Sequence, residues 1–164
     1  MKQRGVTLIQ MLSALAVAVL LTQLGVPAYA RMTEDLHRAA AARDLAQTLR
    51  SARSHALLHG QNVLVHGVDS DWGKGWRVVL ELNQQVLREQ HLSRPLRIMA
   101  NIGNQIRFSG LGVPMNKNNG MLFGRLEICE KTAATSLQRV VMASTGRIDL
   151  RTGKPEKDSL CAGN

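Results

Sequence analysis

The chain has 164 residues, of which 21 are lysine or arginine and 12 are acidic, for a formal net charge of +9. This length leaves room for one modest soluble domain beside a long helix, which argues against a second soluble domain in the sequence. The excess of positive charge suggests attraction to polyanions such as DNA, lipopolysaccharide or acidic cell-surface polymers. Only 3% of the residues are aromatic, which disfavours binding of single strands by base stacking.

The first predicted element is an apolar helix, because no charged residue lies between Arg4 and Arg31. Such a segment is long enough to cross a hydrocarbon core of about 30 Å as a helix of about 20 residues. Lys2 and Arg4 would stay in the cytoplasm, so the rest of the chain would face outward. A cleaved secretory signal and an ordinary membrane anchor are both open interpretations. Ala28-Tyr29-Ala30 fits a signal cleavage site, but the apolar region exceeds the usual signal core of about 7–15 residues.

A third interpretation comes from the motif Gly5-Val6-Thr7-Leu8-Ile9, the apolar run after it and Pro27-Ala28-Tyr29 at its end. Together these residues resemble the N-terminal signature of type IV pilins. In that family a prepilin peptidase cuts after the leader glycine, where the missing side chain lets a protease approach the backbone. The enzyme then methylates the new N-terminal residue. The resemblance therefore implies that residues 1–5 are a removed leader and that Val6 becomes the methylated terminus.

The same resemblance assigns filament assembly to the kept apolar helix, including Gln10 and Pro27. Its implied partners are prepilin peptidase, the inner membrane, and other major and minor pilins. Gln10 departs from the family pattern, because most pilins carry a glutamate there that pairs with the free amine of a neighbouring subunit. An ion pair in hydrocarbon would contribute more than a neutral hydrogen bond. Two interpretations of Gln10 remain open: a tolerated polar substitution, or a tip or initiator subunit that does not insert beneath another.

The apolar segment, residues 6–30, passes into an amphipathic one, residues 31–59, so we predict one helix from about Val6 to His59. Pro27 removes a backbone donor and should kink the helix near Leu24. Gly60 is a natural stop signal. The predicted core-facing stripe of the second half consists of Leu36, Ala39, Ala40, Leu45, Leu49, Ala52 and Ala56.

Strand patterns dominate residues 60–164, the expected periplasmic globular domain. Residues 69–75 and 110–120 are rich in turn-forming residues and are predicted as loops. The predicted strand segments are 63–65, 76–82, 85–87, 121–129, 137–143 and 148–150, with further strand positions at Ile98, Ile106 and Phe108. The predicted fold class is α+β, in which one long N-terminal helix packs on a small antiparallel β-sheet domain.

The order of motifs after the helix resembles the GspH/FimT-type minor pilins and pseudopilins. The matching residues are Asp71-Trp72 with Gly75-Trp76, Ile106-Arg107-Phe108 with Gly110 and Gly120, and Ser144-Thr145-Gly146-Arg147. The resemblance implies a minor type IV pilin-like subunit that joins or primes assembly of a pilus. A minor pseudopilin of a type II secretion system is the alternative. Either subunit would span the bacterial inner membrane once, with its C-terminal domain in the periplasm, and the pilin would enter the pilus.

The two cysteines, Cys129 and Cys161, fall in the part expected to face the periplasm, where disulfides persist. We therefore predict a bridge between them, because no further cysteine or histidine stands at the spacing of a zinc site. His55 and His59 have a helical i, i+4 spacing but no third ligand, and we assign them to the last helical turn. The sequence contains no catalytic or cofactor-binding motif, so it predicts neither an enzyme nor a cofactor.

DNA binding during natural transformation is a further alternative, because some FimT-like pilins bind DNA through a Gly-Arg-x-Arg motif. The corresponding residues are Gly146-Arg147-Ile148-Asp149, in which Asp149 replaces the second arginine. In an extended strand Arg147, Asp149 and Arg151 share one face, where the carboxylate would repel phosphate. The candidate DNA-binding residues are Arg147, Arg151, Lys154 and Lys157.

Overall fold

The computed structural model describes residues 7–131, 135–153 and 158–162. The chain divides into two compact units, residues 1–37 and 38–164. Helix α1 (Leu8–His59) is the one element that the structure describes in the first unit, and it continues into the second. Its end confirms the predicted boundary, and Gly60 follows with a φ of 62°, the left-handed conformation of a helix stop. Val6, the predicted start, lies outside the described residues.

The start of α1 is set by a reciprocal cap between Thr7 and Gln10. The backbone N–H of Thr7 donates to Oε1 of Gln10 over 3.1 Å, and the backbone N–H of Gln10 faces Oγ1 of Thr7 at 3.4 Å. This arrangement is a capping box, which satisfies backbone donors that a helix N-terminus leaves without partners. Further along, Pro27 lies inside α1, and the helix is continuous through it. The kink near Leu24 stays a prediction.

In the second unit, α1 contributes one face to the core. The predicted stripe is confirmed from Leu45 to Ala56, but its earlier part is wrong, because Leu36 is 58% exposed and Ala40 is also exposed. Periodicity marks one face of a helix, but it does not reveal how far the packing partner extends along it. The buried residues of α1 are Ala41, Ala42, Leu45, Ala46, Thr48, Leu49, Ala52 and Ala56.

Nine strands follow the helix in the described residues, and every pairing between them is antiparallel. They are β1 (Val63–Val68), β2 (Asp71–Leu80), β3 (Val86–His91), β4 (Ile98–Ala100), β5 (Gln105–Phe108), β6 (Pro114–Met115), β7 (Gly124–Cys129), β8 (Ser136–Met142) and β9 (Ile148–Thr152). The first sheet has the order β3-β2-β1-β5-β6 and the second has the order β4-β7-β8-β9. A short 3₁₀ helix (Leu160–Ala162) ends the described chain.

The predicted loop at 69–75 is wrong, because β2 already begins at Asp71. The turn consists of Asp69 and Ser70 alone, both with positive φ, as a two-residue hairpin turn requires. Gly75 is a loop signal in the sequence, but it lies inside the strand. A Cβ there would come within 2.1 Å of the carbonyl oxygen of Gln90, so the glycine serves the close approach of β2 and β3.

Several other strand boundaries also differ from the predictions. β2 ends at Leu80, and β7 begins only at Gly124. The segment predicted as the loop 110–120 contains β6, two residues long, which adds an edge to the first sheet through Phe108 and Arg107. Propensity identifies these strands, but pairing with a neighbouring strand decides where each one stops.

Both sheets pack their apolar sides into one core with the buried face of α1. Trp76 is fully buried there, and its indole N–H donates to Oγ1 of Thr48 over 3.2 Å, which satisfies both polar groups. Arg53 of α1 forms hydrogen bonds to one loop of each sheet. Its Nε donates to the carbonyl oxygen of Gly112 over 2.9 Å, and its Nη2 donates to that of Thr145 over 3.0 Å.

Gly146 packs against this arginine, and we expect Gly146→Ala to destabilise the domain. An added Cβ would lie 2.5 Å from Nε of Arg53 and 2.6 Å from the oxygen of Gly112. Gly103→Ala is the matched control, because Gly103 has a similar φ (78° against 83°) but no atom within 4 Å of its Cβ position. In urea unfolding of the full chain in detergent, Gly146→Ala should lose about 1–3 kcal/mol more than Gly103→Ala. Equal losses would contradict the role given to the Arg53 contact.

Candidate functional site: the exposed helix and the arginine-bearing sheet

The first half of α1 is an apolar rod without a covering partner in the described chain. The described side chains of residues 8–31 are all exposed, and α1 is long and apolar enough to cross a membrane. Exposure of so many large apolar side chains is far from what a soluble surface tolerates. The helix therefore needs lipid or other apolar helices around it.

Gln10 lies at the start of this rod, and its side-chain oxygen is already engaged by the N–H of Thr7. A neutral amide thus performs the capping function that glutamate performs in the usual form of this motif. Capping explains why the polar side chain of Gln10 is useful at the start of the helix. Its assembly role and that of Pro27 stay predictions, and Gly5 and Val6, the processing residues, lie outside the described residues.

The predicted disulfide is confirmed. Cys129 at the end of β7 and Cys161 in the 3₁₀ helix are bonded, with their Cα atoms 5.6 Å apart. Both residues are buried. The bridge ties the chain end to the outer face of the second sheet.

Glu127 holds the same chain end and was missed at the sequence level. It is fully buried, and its Oε2 accepts from the hydroxyl of Ser159 over 2.7 Å and from the N–H of Leu160 over 3.0 Å. Its Oε1 lies 2.9 Å from Nε of Arg125, so the buried carboxylate has a charged partner. A usable signal did exist: Glu127 and Ser159 each stand two residues before a cysteine of the bridge, so their side chains are brought to one face.

The basic candidates are only partly brought together. Nε of Arg147 lies 3.0 Å from Oδ2 of Asp149, so the aspartate that interrupts the arginine motif neutralises the first arginine. Arg151 is exposed and has no ion pair within the described residues. Lys154 and Lys157 lie outside the described residues.

Sheet register adds one arginine that sequence reasoning missed. In the strand register, Arg139 of β8 lies directly opposite Arg151 of β9 on one side. On its other side it lies opposite Glu127 of β7. Like charges directly opposite each other destabilise a sheet unless something offsets them. The register therefore places two arginines at neighbouring positions on β8 and β9.

His55 and His59 stack at the end of α1, with ring centroids 4.1 Å apart. Burial first, and then the nearby His59, lower the pKa of His55 below its ordinary value. The lowered pKa favours the neutral ring, which interacts less with the helix dipole than a charged ring would. The described residues contain no group of three or more metal-ligating side chains.

Comparison with known proteins places this architecture. The family model described as "Type II transport protein GspH" matches residues 41–146. Two crystal structures of the type IV minor pilin FimU from Pseudomonas aeruginosa are similar. One has a TM-score of 0.61 and 21% identity over 77% of this chain and 97% of FimU. The other, in a second crystal form, has a TM-score of 0.56 and 19% identity over 72% and 96% of the respective chains. Among curated protein sequences, none matches this chain.

The fold is that of a minor type IV pilin or pseudopilin. The chain belongs to the GspH family, because the family model covers most of its length. The matched region begins at Ala41, where α1 becomes buried, and ends at Gly146, which packs on Arg53. Proteins of this family and fold are structural subunits, and the pilin-like fold implies association with other pilins.

Proposed function

We propose that this chain is a minor type IV pilin-like subunit that joins or primes assembly of a type IV pilus and has no enzymatic activity. Prepilin peptidase removes residues 1–5, and Val6 becomes the methylated N-terminus. Residues 6–30 then anchor the subunit in the inner membrane, with residues 60–164 in the periplasm, until the helix moves into the filament core.

One observation supports the proposal most: the burial of side chains changes along the single helix α1. From Ala41 to Ala56 one face of α1 is buried beneath its own sheets, whereas the described side chains of residues 8–31 are exposed. A helix that is apolar all round is stable only in lipid or among other helices. A subunit that moves from lipid into a bundle of helices needs one part of its helix exposed and the other part packed on its own sheets.

Cross-linking tests which part of the chain meets other subunits. We expect a photoreactive residue at Leu20, which is 60% exposed, to cross-link to other pilins both in membranes and in sheared filaments. The matched control is the same probe at Leu82, which is 90% exposed in the turn between β2 and β3. Mass spectrometry of the adducts identifies the partners. If Leu20 forms adducts only with lipid while the chain is present in filaments, helix packing is not the mode of assembly.

A pseudopilin role in type II secretion is the second candidate, and the description of the family model favours it. The same apolar helix serves both roles, so the partners must decide between them. Adducts with major pilin support the pilus, and adducts with secretion-system subunits support the pseudopilin.

DNA binding is a third candidate, favoured by Arg151 of β9, which is exposed and has no ion pair within the described residues. The ion pair between Arg147 and Asp149 counts against it, because it neutralises the arginine that matches the motif. If DNA is bound on this face, Arg151 is the described arginine placed to contact its phosphates.

We expect Asp149→Asn to strengthen any such binding, since it frees Arg147 and removes a repelling carboxylate. Replacing Arg147 and Arg151 together by alanine should weaken it and reduce the salt slope by about one, because Arg147 is already paired with Asp149 and only the contact of Arg151 is lost. The matched control replaces Arg43 and Arg94, two exposed arginines without an ion pair in the described chain. Gel shift of the full chain in detergent at graded salt provides the measurement. If both double variants weaken DNA binding equally, binding depends on the overall positive charge of the chain and not on this face.

A further inference from the structure

A polar groove crosses the first sheet on the side away from the core. Val65 and Ile106 point inward and are fully buried, so the alternating neighbours His66 and Gln105, which pair in register, point outward. Three adjoining depressions of about 120, 280 and 340 Å³ lie along this surface. Lys117 borders all three, as does Gln105. Neither the apolar part of α1 nor the second sheet (β4-β7-β8-β9) contributes to this groove.

Four polar side chains around the groove have no partner within the described residues. They make neither hydrogen bonds nor ion pairs through their side chains, although each lines at least one of the depressions. Three are primary amides, each offering two donors and one acceptor oxygen, and one is an ammonium group. These residues are Asn104, Gln105, Lys117 and Asn118.

The frame that carries these groups is held by its own hydrogen bonds. The side-chain oxygen of Asn116 accepts from the backbone N–H groups of Asn118 and Gly120, both at 2.9 Å. This fixes the loop that presents Lys117. The loop backbone is therefore held in place before binding, which removes the entropy cost of ordering it.

The groove carries one uncompensated positive charge. Arg107 on its wall is paired with Glu81 at 3.1 Å, whereas Lys117 has no such partner in the described chain. Burial raises the pKa of Glu81, but hydrogen bonds from Asn62 and Arg107 outweigh it, and the net pKa lies below the ordinary value. Glu81 therefore stays ionised at neutral pH, and Lys117 alone is left to attract an anion.

We propose that this groove binds an acidic saccharide, with the amides on its hydroxyl or acetamido groups and Lys117 on its carboxylate or phosphate. Amides act as donors and acceptors at once, which suits sugar hydroxyl groups. A nucleic acid fits poorly, because phosphate tracking needs several cations and base stacking needs aromatic rings. The described lining supplies a single unpaired lysine and no phenylalanine, tyrosine or tryptophan.

Isothermal titration of the full chain, in a zwitterionic detergent without a sugar headgroup, tests the proposal. The probes are a galacturonic acid tetramer, its neutral methyl ester, a mannose oligosaccharide carrying a phosphate monoester and a short DNA duplex. We expect the galacturonic acid tetramer to bind about tenfold or more tightly than the ester, since a charge-assisted hydrogen bond is lost in the ester. The phosphorylated oligosaccharide distinguishes a phosphate-bearing from a carboxylate-bearing source.

Three variants separate the roles of the groove residues. Lys117→Met should weaken the acidic tetramer about tenfold and leave the ester unchanged, while Gln105→Met should weaken both. Arg94→Met, which removes an exposed arginine outside the groove, is the control and should change neither. Near-ultraviolet circular dichroism verifies that each variant is folded.

Equal affinities of Lys117→Met and Arg94→Met for the tetramer would overturn the proposal, as would absence of binding by any oligosaccharide at millimolar concentration. A larger effect of Lys117→Met on DNA than on the tetramer would assign the groove to nucleic acid instead. The outcome is independent of pilus assembly, because Lys117→Met should enter filaments as the wild type does.

Discussion

Replacing Gly5 with leucine should leave the leader attached and keep the subunit out of filaments. The branched side chain blocks the close approach of a protease to the peptide bond before Val6. Unprocessed chains would also carry Lys2 and Arg4 at the helix start, and drawing two charges into an apolar filament core is costly. Mass spectrometry of the chain purified from membranes and from sheared filaments measures both effects.

Gly25→Ala is the matched control, because it changes a glycine of the same helix and an added Cβ meets nothing within 4 Å. It should be processed and incorporated as the wild type is. Normal processing of the leucine variant would refute the cut after Gly5. A mature N-terminus at Arg31, after Ala28-Tyr29-Ala30, would instead establish a secretory signal.

Removing the disulfide should cost the second unit about 3–4 kcal/mol of its free energy of unfolding. The bond closes a loop with a sequence separation of 32 between Cys129 and Cys161, and the chain-entropy model gives that magnitude. The variant replaces both cysteines with alanine, so that no free thiol remains. Urea unfolding of the full chain in detergent measures the loss.

Ser159→Ala serves as the comparison, because it removes one hydrogen bond to the buried Glu127 and keeps the bridge. Its cost should be about 1.5–3 kcal/mol, the usual net value of one hydrogen bond to a charged group. If reductant leaves the unfolding midpoint of the wild type unchanged, the bridge does not constrain the unfolded chain. A cost for Ser159→Ala as large as that of the cysteine variant would place the stabilisation in the Glu127 contacts.

These contacts and the bridge act on one segment from two sides. Glu127 binds the backbone of Leu160, and Cys129 bonds the next residue, Cys161. The chain end therefore covers β7 on the outer face of the second sheet.

Local patterns in the sequence determined the long helix, its end at Gly60, the α+β class and the cysteine pairing. Each of these depends on signals that are complete within a short stretch or on a pair without competitors. A segment without charge from Gly5 to Ala30 has no stable place in water, whatever the rest of the chain does. The resemblance to GspH/FimT-type minor pilins rests on motifs that are also local, and the family match confirmed it.

Tertiary structure alone decided which strands share a sheet, how far the helix is covered and which charges meet. Arg139 and Arg151 are opposite each other only because of strand register, and a shift of β9 by one residue would turn Arg151 to the other face. Glu127 has the pattern of an exposed strand residue until the chain end folds over it. The groove around Lys117 likewise combines β1, β5 and a distant loop. Contacts between residues far apart in sequence produce no local periodic pattern, so only the packed structure reveals them.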